Sequence, residues 1–159
     1  MTTPSSTPSP TDRIEKQIEI HATPALVWRA LTDHREFGTW FRVILESPFV
    51  PGQFTRGRIT HPGYEHVTME VLVDRLEPES YFSFFWRPYA IEPSRDYSHE
   101  QRTLVEFRLN PILTGTLLNF TESGFDAIPP GRRDEAFRMN SNGWASQMKN
   151  IARHVSGSA

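Results

Sequence analysis

The 159-residue chain contains no cysteine. This absence excludes disulfide bonds, cysteine nucleophiles, thiolate zinc sites and iron–sulfur clusters. The sequence also lacks a run of about 20 apolar residues, the length that a membrane-spanning helix needs. Lysine and arginine are not clustered, and the formal net charge is −2. A nucleic-acid surface is therefore not expected, because neutralising phosphates requires grouped cations.

The first eleven residues, MTTPSSTPSPT, lack the basic start and the apolar segment of a secretory signal peptide. Their Pro, Ser and Thr content predicts a disordered tail over residues 1–11. Residues 12–156 are expected to form one domain, since 37% of the chain is hydrophobic and 23% is charged, as in globular proteins. These features predict a cytoplasmic protein that does not insert into a membrane.

Alternation and capping signals predict the secondary structure. Residues 12–22 alternate between apolar and polar side chains, which is typical of a half-buried strand. Thr23 and Pro24 then predict the start of a helix, with Thr23 as its cap and Pro24 at its first position. Leu26 is among the residues of this helix that are expected to face inward. Asp33 starts a second short helix. Five more strand-like segments follow between residues 53 and 122, so the pattern predicts an α+β fold.

The segment from residue 130 to residue 155 predicts one long helix. Its apolar residues recur every three or four positions, so they form one stripe, which consists of Phe137, Trp144, Met148, Ile151 and Val155. Asn140 and Gly143 interrupt the stripe, which favours packing over a hollow. Glycine costs a helix about 1 kcal/mol relative to alanine, so another group is expected to approach Gly143 closely, unless the helix breaks there.

This order of elements, with the stretches ATPALVWRALTD, FGTWF, GTLLNFTESGF and GWASQMKNIARHV, resembles the START-like (SRPBCC, helix-grip) superfamily. The similar branch is named after the activator of heat-shock-protein-90 ATPase (AHSA-type domain). The resemblance covers about residues 12–155. It implies a curved antiparallel sheet of six to seven strands around a long C-terminal helix, with two short helices after strand 1 and a cavity between sheet and helix. The superfamily contains carriers, cyclases and co-chaperones, so it does not define the function.

Strand parity and the resemblance together place a set of side chains around such a cavity. The candidate ligand-binding residues are Trp40, Phe41, His61, Tyr64, Phe84, Trp86, Phe107, Glu122, Phe137, Asn140 and Trp144. This largely aromatic set suits a hydrophobic or aromatic small molecule. The alternative is that the aromatic residues simply fill the core.

Two polar residues in this set have alternative interpretations. Glu122 has the same parity as inward-facing apolar residues, and burying a carboxylate without compensation costs several kcal/mol. It therefore needs a partner, Arg138 or Asn140, or a position at the mouth of the cavity. Asn140 either binds a ligand or bonds to the sheet backbone. General acid–base chemistry by Glu122 or His61 stays open.

Cofactor and metal motifs are missing from the sequence. His61 and His66 are five residues apart, and no third ligand is evident, so no metal is expected. There is no G-x-G-x-x-G after a strand and no G-x-S-x-G elbow, so no cofactor is expected and no catalytic residue is assigned. His61, Tyr64, Asp96 and Tyr97 are expected in loops at the cavity mouth.

The sequence thus favours a small-molecule binding domain over an enzyme. The alternatives are an enzyme of the polyketide cyclase, hydratase or hydrolase type that uses the same cavity, and an interaction protein that resembles a chaperone ATPase activator. The outward strand parity also predicts an apolar band and a homodimer through it. The band consists of Leu72, Phe85, Leu104 and Leu117.

Overall fold

The computed structural model describes residues 12–88, 90, 92 and 96–156. The elements in chain order are β1 (Arg13–Ile20), α1 (Pro24–Thr32), α2 (His34–Phe41), β2 (Val43–Leu45), β3 (Phe54–Ile59), β4 (Thr68–Glu77), β5 (Tyr81–Trp86), β6 (Thr103–Ile112), β7 (Gly115–Ser123), a 3₁₀ turn (Phe125–Ala127) and α3 (Pro130–Ser156). The tail predicted over residues 1–11 lies outside the described residues.

The seven strands form one antiparallel sheet in the order β1-β7-β6-β5-β4-β3-β2. The sheet is open and curved, the two short helices follow β1, and α3 packs against the inner face. The predicted α+β helix-grip fold is therefore confirmed. None of the helices in the described ranges is long and apolar enough to cross a membrane.

The short helices begin at the predicted caps. The Thr23 hydroxyl accepts a hydrogen bond from the Leu26 amide at 3.4 Å, and Pro24 opens α1. Asp33 Oδ1 accepts from the amides of Arg35 and Glu36 at 2.9 and 3.1 Å. These bonds satisfy amide groups that have no partner within the helix. The prediction that Leu26 faces inward is wrong, because the residue is 40% exposed.

Two short elements are not recognisable in the sequence. β2 has only three residues, too few for alternation to show, and it exists because it pairs with β3. The 3₁₀ turn ahead of α3 is also three residues long. Both depend on contacts with distant segments rather than on their own pattern.

The core lies between the inner face of the sheet and the helices. Its largest fully buried apolar side chains are Phe37, Phe82, Phe84, Phe107, Phe120 and Phe125. Ile14 and Ile20 of β1 are buried, as their parity predicts. Met148, Ile151 and Val155 bury the C-terminal half of α3 in the same core.

Two glycines have opposite surroundings. A Cβ on Gly57 of β3 would lie 2.2 Å from the carbonyl oxygen of Ile44 in β2, so the strands pair only because the side chain is absent. A Cβ on Gly143 of α3 would meet nothing within 4 Å. The expectation of a close approach at Gly143 is therefore wrong.

We predict that Gly57→Ala lowers the free energy of unfolding by about 2 kcal/mol, because the new methyl group forces the two strands apart. Gly143→Ala should raise it by about 1 kcal/mol, since alanine is the better helix former and the space is open. Urea unfolding of both variants checks the pair. Equal effects at the two positions would contradict the difference in packing between Gly57 and Gly143.

Candidate functional site

The carboxyl group of Glu122 is the most enclosed polar group of the site. It has no exposed surface and accepts four hydrogen bonds. Oε2 accepts from Trp86 Nε1 at 2.7 Å and from Thr103 Oγ1 at 2.5 Å. Oε1 accepts from Asn140 Nδ2 and from Trp144 Nε1, both at 3.0 Å. Each oxygen thus has two donors.

Sheet register and helix periodicity bring these donors together. Trp86 and Thr103 are directly paired between β5 and β6, and Glu122 lies on the adjoining strand β7. Asn140 and Trp144 are four residues apart, so they share one face of α3. The carboxylate therefore connects three strands to the helix. Asn140 is the partner that the structure provides, whereas the alternative, Arg138, is exposed.

Burial raises the pKa of the Glu122 carboxyl above its ordinary value, because the charged form loses its water. The hydrogen bonds from Thr103, Asn140, Trp86 and Trp144 lower it in part. Thr103 has a hydroxyl group, which can accept as well as donate. A proton bound at Oε2 therefore has an acceptor, and Oε1 remains an acceptor in both protonation states.

An aromatic cluster surrounds this network. The ring centroids of Trp86 and Trp144 are 5.7 Å apart. The ring centroid of Phe41 in α2 lies 6.0 Å from that of Trp86 and 5.9 Å from that of Trp144. Phe120 lies 4.3 Å from Trp144 on the core side. Both indoles thus have their N–H groups bound to Glu122 and their faces against other rings, so they form a rigid surface.

A cavity of about 670 Å³ opens beside the cluster, between α3 and the end of the sheet formed by β3, β4 and β5. Its apolar lining comes from Phe41, Ile59, Val67, Met69, Trp86 and Met139, and its polar lining includes Tyr64, Thr68, Arg87, Tyr97, Asn140 and Gln147. A smaller hollow of about 160 Å³ adjoins it and reaches Trp144.

Six of the eleven candidate residues lie on these walls. Phe41, His61, Tyr64, Trp86 and Asn140 line the larger cavity, and Trp144 lines the smaller one. Glu122 lies behind the wall, bonded to three wall residues. Of the loop residues expected at the mouth, Tyr97 lines the cavity and Asp96 does not appear in the lining.

The other four candidates pack away from both hollows. Phe84 and Phe107 are fully buried in the core. Trp40 is buried and donates through Nε1 to the Ala30 carbonyl at 2.8 Å. Phe137 packs edge-on against Phe125 at 5.2 Å. Strand parity indicates the face on which a side chain lies, but it does not distinguish the solid part of the core from its hollow end.

Several lining residues were missed in the sequence. Those on the sheet and its loops are Ile59, Val67, Thr68, Met69, Glu70, Arg87 and Ala90. Those on α3 are Met139, Ser146, Gln147 and Asn150, which together with Asn140 and Gly143 follow helical spacing. This second, mixed stripe runs beside the apolar one and could have been found by extending the periodicity to polar residues.

A buried ion pair holds the loop between β5 and β6 against the start of α3. Arg132 Nε lies 3.0 Å from Glu100 Oε2, and the two side chains are only 4% and 8% exposed. The Tyr97 ring lies 4.8 Å from the guanidinium carbon of Arg132. Since the same loop carries Arg87 and Tyr97 to the cavity, this pair positions part of the lining.

Within the described parts of the chain, no three His, Asp or Glu side chains form a group that could hold a metal ion. His61 has its Nδ1 3.1 Å from the Pro62 carbonyl oxygen, and its ring lies edge-on to Tyr64 at 5.6 Å. These two residues are therefore placed as neighbours at the cavity wall.

Comparison with known proteins supports the fold. Residues 21–156 match the family model described as Activator of Hsp90 ATPase homolog 1-like protein. No curated protein matches the chain. Among solved structures, MLL2253 from Mesorhizobium loti is similar with a TM-score of 0.73 and 21% identity, over 92% of this chain and 98% of that one.

Two further structures are similar at low identity. DynU16, a protein of the dynemicin biosynthetic locus, has a TM-score of 0.69 and 23% identity, over 91% of this chain and 47% of that one. The Aha1 dimer from Colwellia psychrerythraea has a TM-score of 0.65 and 19% identity, over 90% of this chain and 95% of that one. Together with the family model, this likeness confirms the predicted START-like, AHSA-type superfamily.

We predict that Glu122→Gln lowers the free energy of unfolding by about 2 kcal/mol, because the new amide is a donor among four donors. The loss should be larger at low pH. A raised pKa means that the folded protein binds the proton more tightly, so the contribution of Glu122 is complete below the ordinary value of 4.5 and declines as the pH rises through the folded pKa. Urea unfolding between pH 4.5 and 8 measures it.

The same substitution at the exposed Glu19 removes a charge without breaking such a network and serves as the control. A cost of Glu122→Gln that grows as the pH rises would contradict the upward direction of the shift.

Proposed function

Since the chain belongs to the Activator of Hsp90 ATPase homolog 1-like family, whose model covers residues 21–156, we propose that it binds a hydrophobic or aromatic small molecule between α3 and the sheet. The supporting observation is the cavity of about 670 Å³. Pockets for small molecules measure roughly 300–1,000 Å³ and combine apolar walls with a few polar groups. This cavity has both features.

The walls favour a flat, apolar ligand. Phe41 and Trp86 meet at 63°, so an aromatic ring can lie on one and contact the edge of the other. Met139 on α3 also lines the cavity, and its flexible thioether adapts to different ligand shapes.

The position of Glu122 favours binding over catalysis. An acid or base must reach the reacting atoms, but this carboxyl has no exposed surface and its four hydrogen-bond partners enclose it. Its role in the proposed function is to hold Trp86, Asn140 and Trp144 in place. An enzyme of the cyclase, hydratase or hydrolase type would instead use His61 or Tyr64, which lie on the wall.

A substitution that fills the cavity tests the proposal without weakening the fold. Gly143 lines both hollows, and its missing side chain leaves open space. We expect wild-type protein to bind biphenyl or 4-hydroxybiphenyl in calorimetric titrations. Gly143→Leu should reduce the affinity at least tenfold while the melting temperature stays the same or rises, because leucine is the better helix former.

The control is Asn142→Leu, which adds the same side chain to the exposed neighbouring position outside the lining. It should bind like the wild type. Absence of binding by the wild type, or equal binding by Gly143→Leu, would contradict the proposal. Native mass spectrometry of protein from its own host identifies a retained ligand, and conversion of that ligand would favour the enzyme.

The outer face of the sheet supports a second proposal, that two copies of the chain pair. Cross-strand register aligns Phe54, Leu72, Phe85 and Leu104 in one row over β3, β4, β5 and β6. This row differs from the band predicted from the sequence in two residues. Phe54 belongs to the row but not to the predicted band, and Leu117 belongs to the predicted band but not to the row. Leu104 pairs with Ser123, so Leu117 is six residues, roughly 20 Å, farther along β7.

The row of Phe54, Leu72, Phe85 and Leu104 is the outer row. The charged side chains beside the outer row suggest how the two copies are oriented. On one side Arg56 and Arg102 flank Glu70. Arg56 Nη2 lies 2.7 Å from Glu70 Oε2, and Arg102 Nη2 lies 3.4 Å from Glu70 Oε1, so this side has an excess of positive charge. On the other side lie Asp74 and Glu106, with Arg108 Nη2 3.2 Å from Glu106 Oε2, which leaves an excess of negative charge. A two-fold axis parallel to the outer row places the basic side of one copy over the acidic side of the other. The similar Aha1 protein from Colwellia psychrerythraea is a dimer.

We predict a dimer in sedimentation analysis that Phe54→Lys converts to a monomer, because the lysine places a charge in the outer row, beside Arg102 of its own chain. Leu113→Lys changes an equally apolar residue on the exposed hairpin between β6 and β7 and should leave the dimer intact. A wild-type protein that stays monomeric at every concentration would end this proposal.

A further inference from the structure

Asn140 is the wall residue whose chemistry is most restricted. It is half-buried, lines both hollows and donates through Nδ2 to Glu122 Oε1 at 3.0 Å. A side-chain amide has a donor end and an acceptor end. One of the two N–H groups of Nδ2 is bound to Glu122, which fixes the orientation of the amide, and the acceptor end, Oδ1, is not used by this bond.

The orientation of this amide follows from its neighbours. Oε1 of Glu122 also accepts from the Trp144 indole, which can only donate. That oxygen is therefore an acceptor, and a reversed Asn140 amide would place two acceptors against each other. Because a proton on the carboxyl has a partner at Oε2 in Thr103, this conclusion holds for both protonation states.

The other amides along the same stretch of α3 differ. Gln147 Oε1 accepts from Asn150 Nδ2 at 3.0 Å, and Asn150 Oδ1 accepts from Arg153 at 2.8 Å. Among the side chains that the structure describes, none donates to Asn140 Oδ1, and this atom is not one of the buried side-chain atoms without a partner, so it is accessible on a residue that lines the cavity. It is a pre-oriented acceptor that is left to the ligand.

We propose that the ligand is an aromatic compound carrying a hydroxyl or N–H group, which donates to Oδ1 of Asn140 while the ring packs against Trp86 and Phe41. This inference rests on the proposed binding function and adds the chemical class of the ligand. Glu122 acts as a positioning residue: it does not touch the ligand, but it determines which end of the Asn140 amide the ligand meets.

Three related compounds separate the contributions. Biphenyl reports the apolar contacts alone, 4-hydroxybiphenyl adds a donor, and 4-methoxybiphenyl keeps the oxygen without the donor. For wild-type protein we expect the hydroxyl compound to bind about tenfold more tightly than the methoxy compound, since a pocket acceptor left unpaired costs about that factor. Calorimetric titration measures all three dissociation constants.

Asn140→Leu should reduce the hydroxyl-to-methoxy ratio to about one while biphenyl still binds, because leucine has similar size and no acceptor. Asn142→Leu should keep the ratio of the wild type. Asn140→Ala is the second variant if the leucine protein does not fold. Glu122→Gln should also reduce the ratio, because the amide at Asn140 is no longer held in one orientation. A purely structural role of Glu122 would weaken all three compounds equally.

The outcomes distinguish this inference from the function on which it rests. If the three compounds bind equally to the wild type, or if the ratio survives in the Asn140 variants, the donor requirement is wrong and the binding function stands. If none of the three compounds binds to the wild type, both proposals fall.

Discussion

The carboxyl group of Glu122 is the constraint on which the rest of the site depends. A carboxyl removed from water without partners costs several kcal/mol, so the fold is stable only where donors surround it. Two of these donors come from β5 and β6 and two from α3. The helix must therefore lie at the one height and rotation over the sheet that brings Asn140 and Trp144 to the carboxyl.

This requirement gives α3 two faces with different surroundings. Met148, Ile151 and Val155 fill the space above the sheet and form a solid core. The neighbouring stripe lines the cavity, where Gly143 has no side chain and Asn140 is turned back toward Glu122, so the space stays open. A polar contact between helix and sheet thus marks the boundary between core and cavity, and it gives the two tryptophans rigid positions at that boundary.

The two faces of the sheet have different roles in these proposals. The inner face carries the aromatic cluster and the cavity, whereas the outer face carries the outer row with its unequal charges. The same register aligns both, because antiparallel pairing places Phe85 beside Leu72 and Leu104 on one side and Phe84 beside Val73 and Val105 on the other. The two proposed sites therefore lie on opposite faces of the sheet, and Glu70, which lines the cavity and lies beside the outer row, belongs to both.

Local patterns in the sequence determined the caps at Thr23 and Asp33, the alternation of β1 and the extent of α3, since each depends on residues within a few positions of one another. The order of these elements indicated an α+β fold, and the resemblance to the START-like superfamily implied the helix grip. They also showed that Glu122 would point inward and require a partner. Only the tertiary structure decided which partners it has, because Trp86 and Thr103 are 36 and 19 residues away along the chain. The tertiary structure likewise decided that a hollow lies next to Trp86 and that Phe84 is packed on all sides. Parity along a strand assigns each side chain to one face of the sheet. The pairing register of the strands and the position of α3 over the sheet decide whether that side chain meets packed atoms or the cavity.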